Sequence, residues 1–195
     1  MKHDILIAGV GGQGILTIAT ILGRAAVREG LHLKQCEVHG MAQRGGAVYS
    51  HMRLSSGAIW SDMIPCGGAD MLIAMEPMEA LRYAAWLAPE GWLIANEEPV
   101  VNIPDYPEPE RVHAEIRARP RHVLFNATEL ATKAGASRAA NVALLGAASY
   151  FMQMPAAAFE QAIADQFASK GDKVVGANLA VFKAARELAE SRAAK

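Results

Sequence analysis

The run DILIA, Asp4 to Ala8, passes without interruption into GVGGQGIL, Gly9 to Leu16, and no other stretch restricts the chain's architecture as much. A short continuous apolar segment that ends in glycines suits a strand buried on both faces of a mostly parallel sheet. Behind it Ile15, Ile18, Ala19, Leu22, Ala25 and Ala26 recur at helical spacing as far as Gly30. Strand, tight loop and helix therefore open the chain. Gly9, Gly11 and Gly14 stand in G-x-G-x-x-G spacing, and an acid, Glu37, follows about twenty residues later, which taken literally is the dinucleotide-binding fingerprint.

Two readings of this loop stay open on the residues alone. Backbone N–H groups at a helix N-terminus point outward and carry the positive end of the helix dipole, so Gly11, Gly12, Gln13 and Gly14 form a candidate anion site. The same glycines could instead only permit a tight turn and close packing of helix on strand. Gln13 could also turn its amide toward a partner.

The remaining pattern predicts an α/β sheet with helices on both faces. LHLKQCEV and AVYSHMRLS read as second and third strands, MLIAM and WLIAN as two more, separated by a helical pattern over Pro77 to Leu87. Pro99 to Pro109 contains four prolines and reads as a surface loop. After HVLFNA, the last expected strand, the composition turns alanine-rich, with helices expected over Thr128–Ala134, Arg138–Met152, Pro155–Phe167 and Gly176–Ala194. The expectation is one domain over residues 1–195, with a sheet core over about 1–127 and a helical C-terminal third over about 128–195. Those helices either cover the sheet or meet a partner, and an extensive subunit interface on them is expected.

Composition narrows the function. With 19 Lys and Arg against 20 Asp and Glu, and a pI of about 6.6, there is no broad positive field to draw in nucleic acid or anionic membrane. Cys36 and Cys66 form no C-x-x-C pair, so a self-contained iron–sulfur or zinc–thiolate site is excluded on spacing. They read as reduced thiols of a cytoplasmic protein. The N-terminus lacks a signal-peptide pattern, and Ala139 to Met152 is too short for a membrane span.

A second segment is more specific. EVHGMAQRGGAVYSHMR, Glu37 to Arg53, sets His39, Gly40, Met41, Gln43, Arg44, Gly45 and Gly46 directly after the second strand. Arg44 could clamp a phosphate or carboxylate through its planar fork, with glycines on both sides of the segment allowing close backbone approach. The alternative is an exposed loop whose arginine pairs with a surface acid.

Together, GVGGQGILT, HGMAQRGGAVYSHMR, NVALLGA (Asn141 to Ala147) and the C-terminal Phe167, Lys170 and Asn178 resemble the gamma subunits and domains of 2-oxoacid:ferredoxin oxidoreductases. Within that family the chain is most similar to the small (beta) subunits of indolepyruvate ferredoxin oxidoreductases. The resemblance implies an open Rossmann-like α/β fold without nicotinamide chemistry. It also implies oxidative decarboxylation of a 2-oxoacid with coenzyme A to an acyl-CoA and carbon dioxide, with ferredoxin as electron acceptor. That reaction uses thiamine diphosphate, Mg2+ and [4Fe–4S] clusters. This sequence has no G-D-G followed by a distant asparagine to hold a magnesium diphosphate, since GDK at Gly171 lacks the second glycine, and it has too few cysteines for a cluster. The expectation is therefore an accessory subunit that binds none of these cofactors and has no catalytic residue of its own. A large catalytic subunit would partner it in a heterodimer or dimer of heterodimers. The competing reading is a self-sufficient NAD(P)-dependent oxidoreductase using Gly9, Gly11, Gly14 and Glu37.

Other side chains read plainly. His39, His51, His113 and His122 lack metal-ligand spacing and are expected to be hydrogen-bonded or exposed. Glu76 and Glu79 share a helix face and are read as a solvated N-terminal turn as readily as an acid–base pair. Met71, Met75, Met78, Met152 and Met154 read as core or interface filler.

Overall fold

Strand β1 (Lys2–Val10) is buried from His3 to its end, and the rest of the sheet is arranged around it in a computed structural model that describes residues 1–40 and 45–193. On one side β3 (Ala47–Ser55) pairs with it antiparallel along its whole length, from Lys2 opposite Ser55 to Val10 opposite Ala47. On the other side β4 (Ala69–Ala74) runs parallel, followed by β5 (Leu87–Asn96) and β6 (His122–Phe125), also parallel. Strand β2 (His32–His39) lies outside β3 and antiparallel to it, giving the order β2-β3-β1-β4-β5-β6. The sheet is mostly parallel, with β3 running against both of its neighbours.

Alternation along β1 divides the core. Ile5 and Ile7 face a large cluster built with helices α1 (Ile15–Arg28), α4 (Ala127–Lys133), α5 (Ala140–Tyr150), α6 (Ala156–Phe167) and α7 (Asp172–Ala193). Leu6 and Ala8 face a smaller one covered by α2 (Pro77–Arg82) and α3 (Pro109–Arg117). Helix α5 is buried at every position from Asn141 to Ser149, the pattern of a helix enclosed on all sides. It lies against the sheet, with α7 packed on it.

The expected elements recur with shifted ends. The helix expected to run to Leu87 stops at Arg82 and gives way to a 3₁₀ turn, Ala84–Trp86, where Tyr83 and Trp86 close on Tyr49 with ring centroids 4.7 and 6.4 Å away. Helix α3 was not legible inside its proline-rich surroundings, although Pro109 opens it at a position that needs no N–H. Helix α7 begins at Asp172, because Gly171 takes φ +87 and ends the preceding turn.

Of the two roles expected for the C-terminal helices, covering the sheet is observed: Leu144, Leu145, Phe159, Ile163, Val181 and Phe182 are all fully buried within the chain. Exposed large apolar residues lie elsewhere, among them Leu16, Val38, Val101 and Ile103.

The contact between α5 and α7 depends on Gly146, where a Cβ would lie 2.4 Å from the carbonyl oxygen of Phe182. Because that neighbour is backbone, it cannot rotate away. Gly146→Val is expected to lower stability by about 1–3 kcal/mol. Gly176→Ala, which meets nothing within 4 Å inside α7, is expected to raise it by about 0.4–1 kcal/mol. Urea denaturation of both variants checks the pair.

Candidate functional site

The turn after β1 is held from within. Gln13 Oε1 accepts a hydrogen bond from Val10 N at 2.7 Å, and its Nε2 donates to the carbonyl of Met75 at the end of β4, 3.2 Å away. Gly9 makes room for this strap, since a Cβ there would lie 2.8 Å from Gln13 Oε1 and 2.7 Å from Met75 Cβ. The amide of Gln13 is thus engaged inside the fold and does not reach toward a ligand or partner, which corrects that part of the sequence reading. Its two bonds tie the carboxyl ends of β1 and β4 together.

Gly12 and Gly14 adopt φ +100 and +87, a region that L side chains enter only at a cost. Gly14 is the N-cap of α1, and a Cβ on it would lie 2.5 Å from Nδ2 of Asn141, which donates to the Gly14 carbonyl. Asn141, the first residue of the NVALLGA segment, therefore buttresses the loop from the start of α5. Among the described residues nothing accepts from the backbone N–H groups of Gly12, Gly14, Ile15 and Leu16. They stand at the positive end of a 14-residue helix.

The second glycine segment meets the first. Gly11 N donates to the carbonyl of Gly46 at 2.9 Å, and Asn102 Nδ2 donates to the carbonyl of Gly45 at 2.6 Å. Of the candidate inter-subunit loop, His39, Gly40, Gly45 and Gly46 are described, whereas Met41, Gln43 and Arg44 lie outside the described residues. A cleft of about 430 Å³ opens between the glycine loop with Ile15 and Leu16 on one wall and Glu37, His39 and Val48 on the other. The two motifs singled out in the sequence thus form one site at the carboxyl end of β1.

Glu37 lines this cleft, but not as a dinucleotide binder requires. There the strand bearing the ribose-binding acid lies directly beside the first strand and parallel to it. Here β3 occupies that place, antiparallel, and pushes β2 outward by one strand spacing of about 4.8 Å. The nicotinamide reading loses its structural basis.

Glu76 and Glu79 are not a solvated turn. They are 1% and 5% exposed. Glu76 is the N-cap of α2: one carboxylate oxygen accepts from Glu79 N at 2.9 Å, and the other accepts from Val100 N and from the hydroxyl of Tyr106. Burial, with the Glu76 carboxylate beside it, holds the Tyr106 phenol above its usual range. Burial also pushes the Glu79 carboxyl up, against the pull of Arg82, which donates to it at 3.0 Å. Through Val100, Asn102 and Tyr106 the proline-rich segment is fastened to α2 at one point and to Gly45 at another. Sequence reasoning missed Val100, Asn102 and Tyr106 and the N-cap role of Glu76, although Pro77 was a readable signal for a helix start.

Each of the four histidines singled out in the sequence makes a hydrogen bond, although the Nε2 of His51 is buried without a partner among the described residues. His51 is fully buried and its Nδ1 accepts from Ile64 N at 3.2 Å, with burial lowering its pKa. His113 and His122 lie 2.8 and 2.7 Å from the carbonyl oxygens of Glu97 and Arg119, and His39 lies 3.2 Å from that of Gly40. Among the described residues no three His, Cys, Asp or Glu side chains converge where a metal ion could be held. Met71, Met75, Met152 and Met154 are core, and Met78 packs against the smaller cluster.

Fold and site together define an open, mostly parallel α/β chain with a glycine-loop cleft lined by backbone donors. Residues 4–188 match the family described as pyruvate ferredoxin/flavodoxin oxidoreductase, and the chain belongs to that family. It is 41% identical over 192 residues to indolepyruvate oxidoreductase subunit IorB of Archaeoglobus fulgidus, covering 94% of this chain and 93% of that one. It is 34% identical over 190 residues to the subunit of the same name from Methanothermobacter thermautotrophicus, covering 94% and 95%. Among solved structures, the keto/oxoacid ferredoxin oxidoreductase gamma subunit of Geobacter sulfurreducens superposes with a TM-score of 0.71 at 25% identity, covering 97% of this chain and 99% of that one. The 2-oxoglutarate:ferredoxin oxidoreductase of Magnetococcus marinus, solved with 2-oxoglutarate, coenzyme A and succinyl-CoA bound, shares the fold with a TM-score of 0.76 at 20% identity. This chain covers 31% of that one and is itself covered to 97%.

Replacing Gln13 tests the strap. Gln13→Ala leaves the Val10 N–H without its partner and the Met75 carbonyl with only the longer bond from Asn96 Nδ2, 3.4 Å, and is expected to cost about 1–3 kcal/mol. Gln13→Glu keeps the acceptor for Val10 N but sets a carboxylate against the Met75 carbonyl, and is expected to destabilise as well. Thermal unfolding of the two variants beside the parent gives the comparison.

Proposed function

We propose that this chain is the accessory subunit of a coenzyme A-dependent 2-oxoacid:ferredoxin oxidoreductase, acting on indolepyruvate or another aryl pyruvate. The observation that carries the proposal is the joining of the two glycine segments through Gly11 N and the Gly46 carbonyl, which builds a cleft of free amide donors at the carboxyl end of the sheet. The IorB relatives support the substrate class. Overall, 2-oxoacid, coenzyme A and two oxidised ferredoxins give acyl-CoA, carbon dioxide, two reduced ferredoxins and a proton.

The carbanion chemistry of the decarboxylation belongs to thiamine diphosphate with Mg2+, and the electron transfer to [4Fe–4S] clusters, both on a large catalytic subunit. The residues of this chain do not fit those groups. Its two cysteines are a half-buried Cys36 on β2 and an exposed Cys66. Its own contribution is binding and orientation. The N–H groups of Gly12, Gly14, Ile15 and Leu16 receive a phosphate of coenzyme A, and the positive end of α1 favours that charge. Exposed Leu16 lines the cleft and exposed Val38 lies on β2 between Glu37 and His39 of its wall, and both supply apolar contact for the catalytic subunit. We place the complex, a heterodimer or dimer of heterodimers, in the cytoplasm. No helix among the described residues is long and apolar enough to cross a membrane.

Purified alone, the chain is expected to be colourless and inactive, and to confer 2-oxoacid-dependent ferredoxin reduction when mixed with its large subunit. In that pair Gly12→Asp is expected to raise KM for coenzyme A at least about tenfold, the penalty for a like charge at a desolvated anion site. Gly12→Asn shares the backbone strain without the charge and is expected to change KM far less. An unchanged KM for an assembled Gly12→Asp enzyme would return the loop to a plain turn.

Arg44 is assigned to the junction with the catalytic subunit, where a planar fork bridges two acceptors and no proton moves. Arg44→Lys is expected to weaken assembly or turnover nearly as much as Arg44→Ala, each by about 1–3 kcal/mol. Steady-state rates and sedimentation of the reconstituted pair measure both effects, and full activity with unchanged affinity for Arg44→Ala contradicts the assignment.

A further inference from the structure

A pocket of about 210 Å³ lies between the end of β1, the start of β3, α2 and the 100–106 segment, and shares no lining residue with the glycine-loop cleft. Its charge is unbalanced. The carboxylates of Glu76 and Glu79, both more than nine-tenths buried, line it against a single guanidinium, that of Arg82. Glu76 has donors on both oxygens, Glu79 N on one and Val100 N with the Tyr106 hydroxyl on the other. Glu79 takes Arg82 Nε on Oε1 at 3.0 Å, and its Oε2 is buried without a partner among the described residues. A buried carboxylate oxygen without a donor is costly, so the position calls for a ligand that donates.

The unmet acceptor selects the ligand. A guanidinium fork binds best to two oxygens, and Glu79 has one to offer. A divalent metal ion takes about six oxygen ligands, and among the described residues no three acidic, histidine or cysteine side chains converge. The space is several times the roughly 30 Å³ that one water occupies. Val10, Ala47, Met78, Val100 and Ile103 line much of its wall, which suits an apolar stem ending in a compact ammonium. Bound there, an ammonium sets two cations against the two carboxylates. The wall also includes Gly45, beside the segment assigned above to the junction with the catalytic subunit.

We propose that this pocket receives the side chain of a lysine from the catalytic subunit, its methylene stem along the apolar wall and its ammonium on Glu79 Oε2. The identity of the partner rests on the accessory-subunit reading, whereas the chemistry of the pocket rests on Glu79.

Butylammonium chloride, titrated into the full-length chain and followed by amide NMR shifts, tests the chemistry without a partner. Saturable shifts are expected at Ala47, Met78 and Glu79, with butanol, which has the stem but no charge, binding at least about tenfold more weakly. Glu79→Gln is expected to weaken amine binding at least about tenfold, and Arg82→Gln, at a half-exposed side chain, to strengthen it about threefold by removing a like charge, a gain that misfolding could not produce. In the reconstituted pair, Glu79→Gln is expected to weaken subunit affinity at least about tenfold, and butylammonium to compete with assembly of the parent. Amine binding that is absent, or unchanged in Glu79→Gln, overturns the proposal. So does amine binding that depends on Glu79 while assembly is indifferent to the substitution, which would leave the pocket to a free amine. Failure of the parent chain to assemble with a large subunit contradicts the accessory-subunit reading, and with it the source of the lysine, whereas a failed amine titration beside normal assembly contradicts the pocket alone.

Discussion

The pairing of β3 with β1 along the full length of both strands is the constraint on which the rest of the molecule depends. Nine consecutive residue pairs fix this register, and a slip of one residue would turn every buried side chain of β3 to the wrong face. The pairing brings the segment before β3 to the loop after β1, so that Gly46 meets Gly11. It also displaces β2, and with it Glu37, from the place where a dinucleotide-binding sheet keeps its acid. A glycine spacing shared with nicotinamide enzymes is thus put to another use by the one antiparallel strand beside it.

Around that pairing, the carboxyl end of the sheet is bound together by side chains whose polar atoms are taken up within the fold. Gln13 joins β1 to β4, Asn141 joins α5 to Gly14, and Asn102 joins the proline-rich segment to Gly45. The buried Glu76 anchors that segment on either side of Asn102, through Val100 and Tyr106. What remains turned outward among the described residues is backbone N–H, a few apolar side chains, Glu37 and His39. Such a surface suits an anion and a protein partner.

The sequence was most readable where period and position coincide. The alternation of AVYSHMRLS placed β3 at Ala47–Ser55, and the helical spacing after Gly14 placed α1, because each element buries one face and its pattern records which. Strand direction was not readable: nothing in the β3 pattern says that it runs against β1, since the period of two is the same for a parallel and an antiparallel strand. The inward role of Gln13 was also hidden, because a glutamine among glycines has the same sequence whether its amide faces solvent or a strand end. Glu76 and Glu79 were misread for a similar reason. Their burial is imposed by the 99–106 segment, which lies more than twenty residues away. Of the functional loop, the glycines carried their meaning in the sequence, whereas the contact between the two loops is a product of sheet order.

Amide hydrogen exchange, measured residue by residue on the chain alone and in complex with its large catalytic subunit, tests the central claim most directly. The account predicts that Gly12, Gly14, Ile15 and Leu16, whose N–H groups lack a partner among the described residues, exchange fast in the free chain. In the complex with coenzyme A they become strongly protected, together with Gly45 and Gly46. Protection confined to the outer faces of α6 and α7, with the glycine-loop amides exchanging as fast as before, would contradict it.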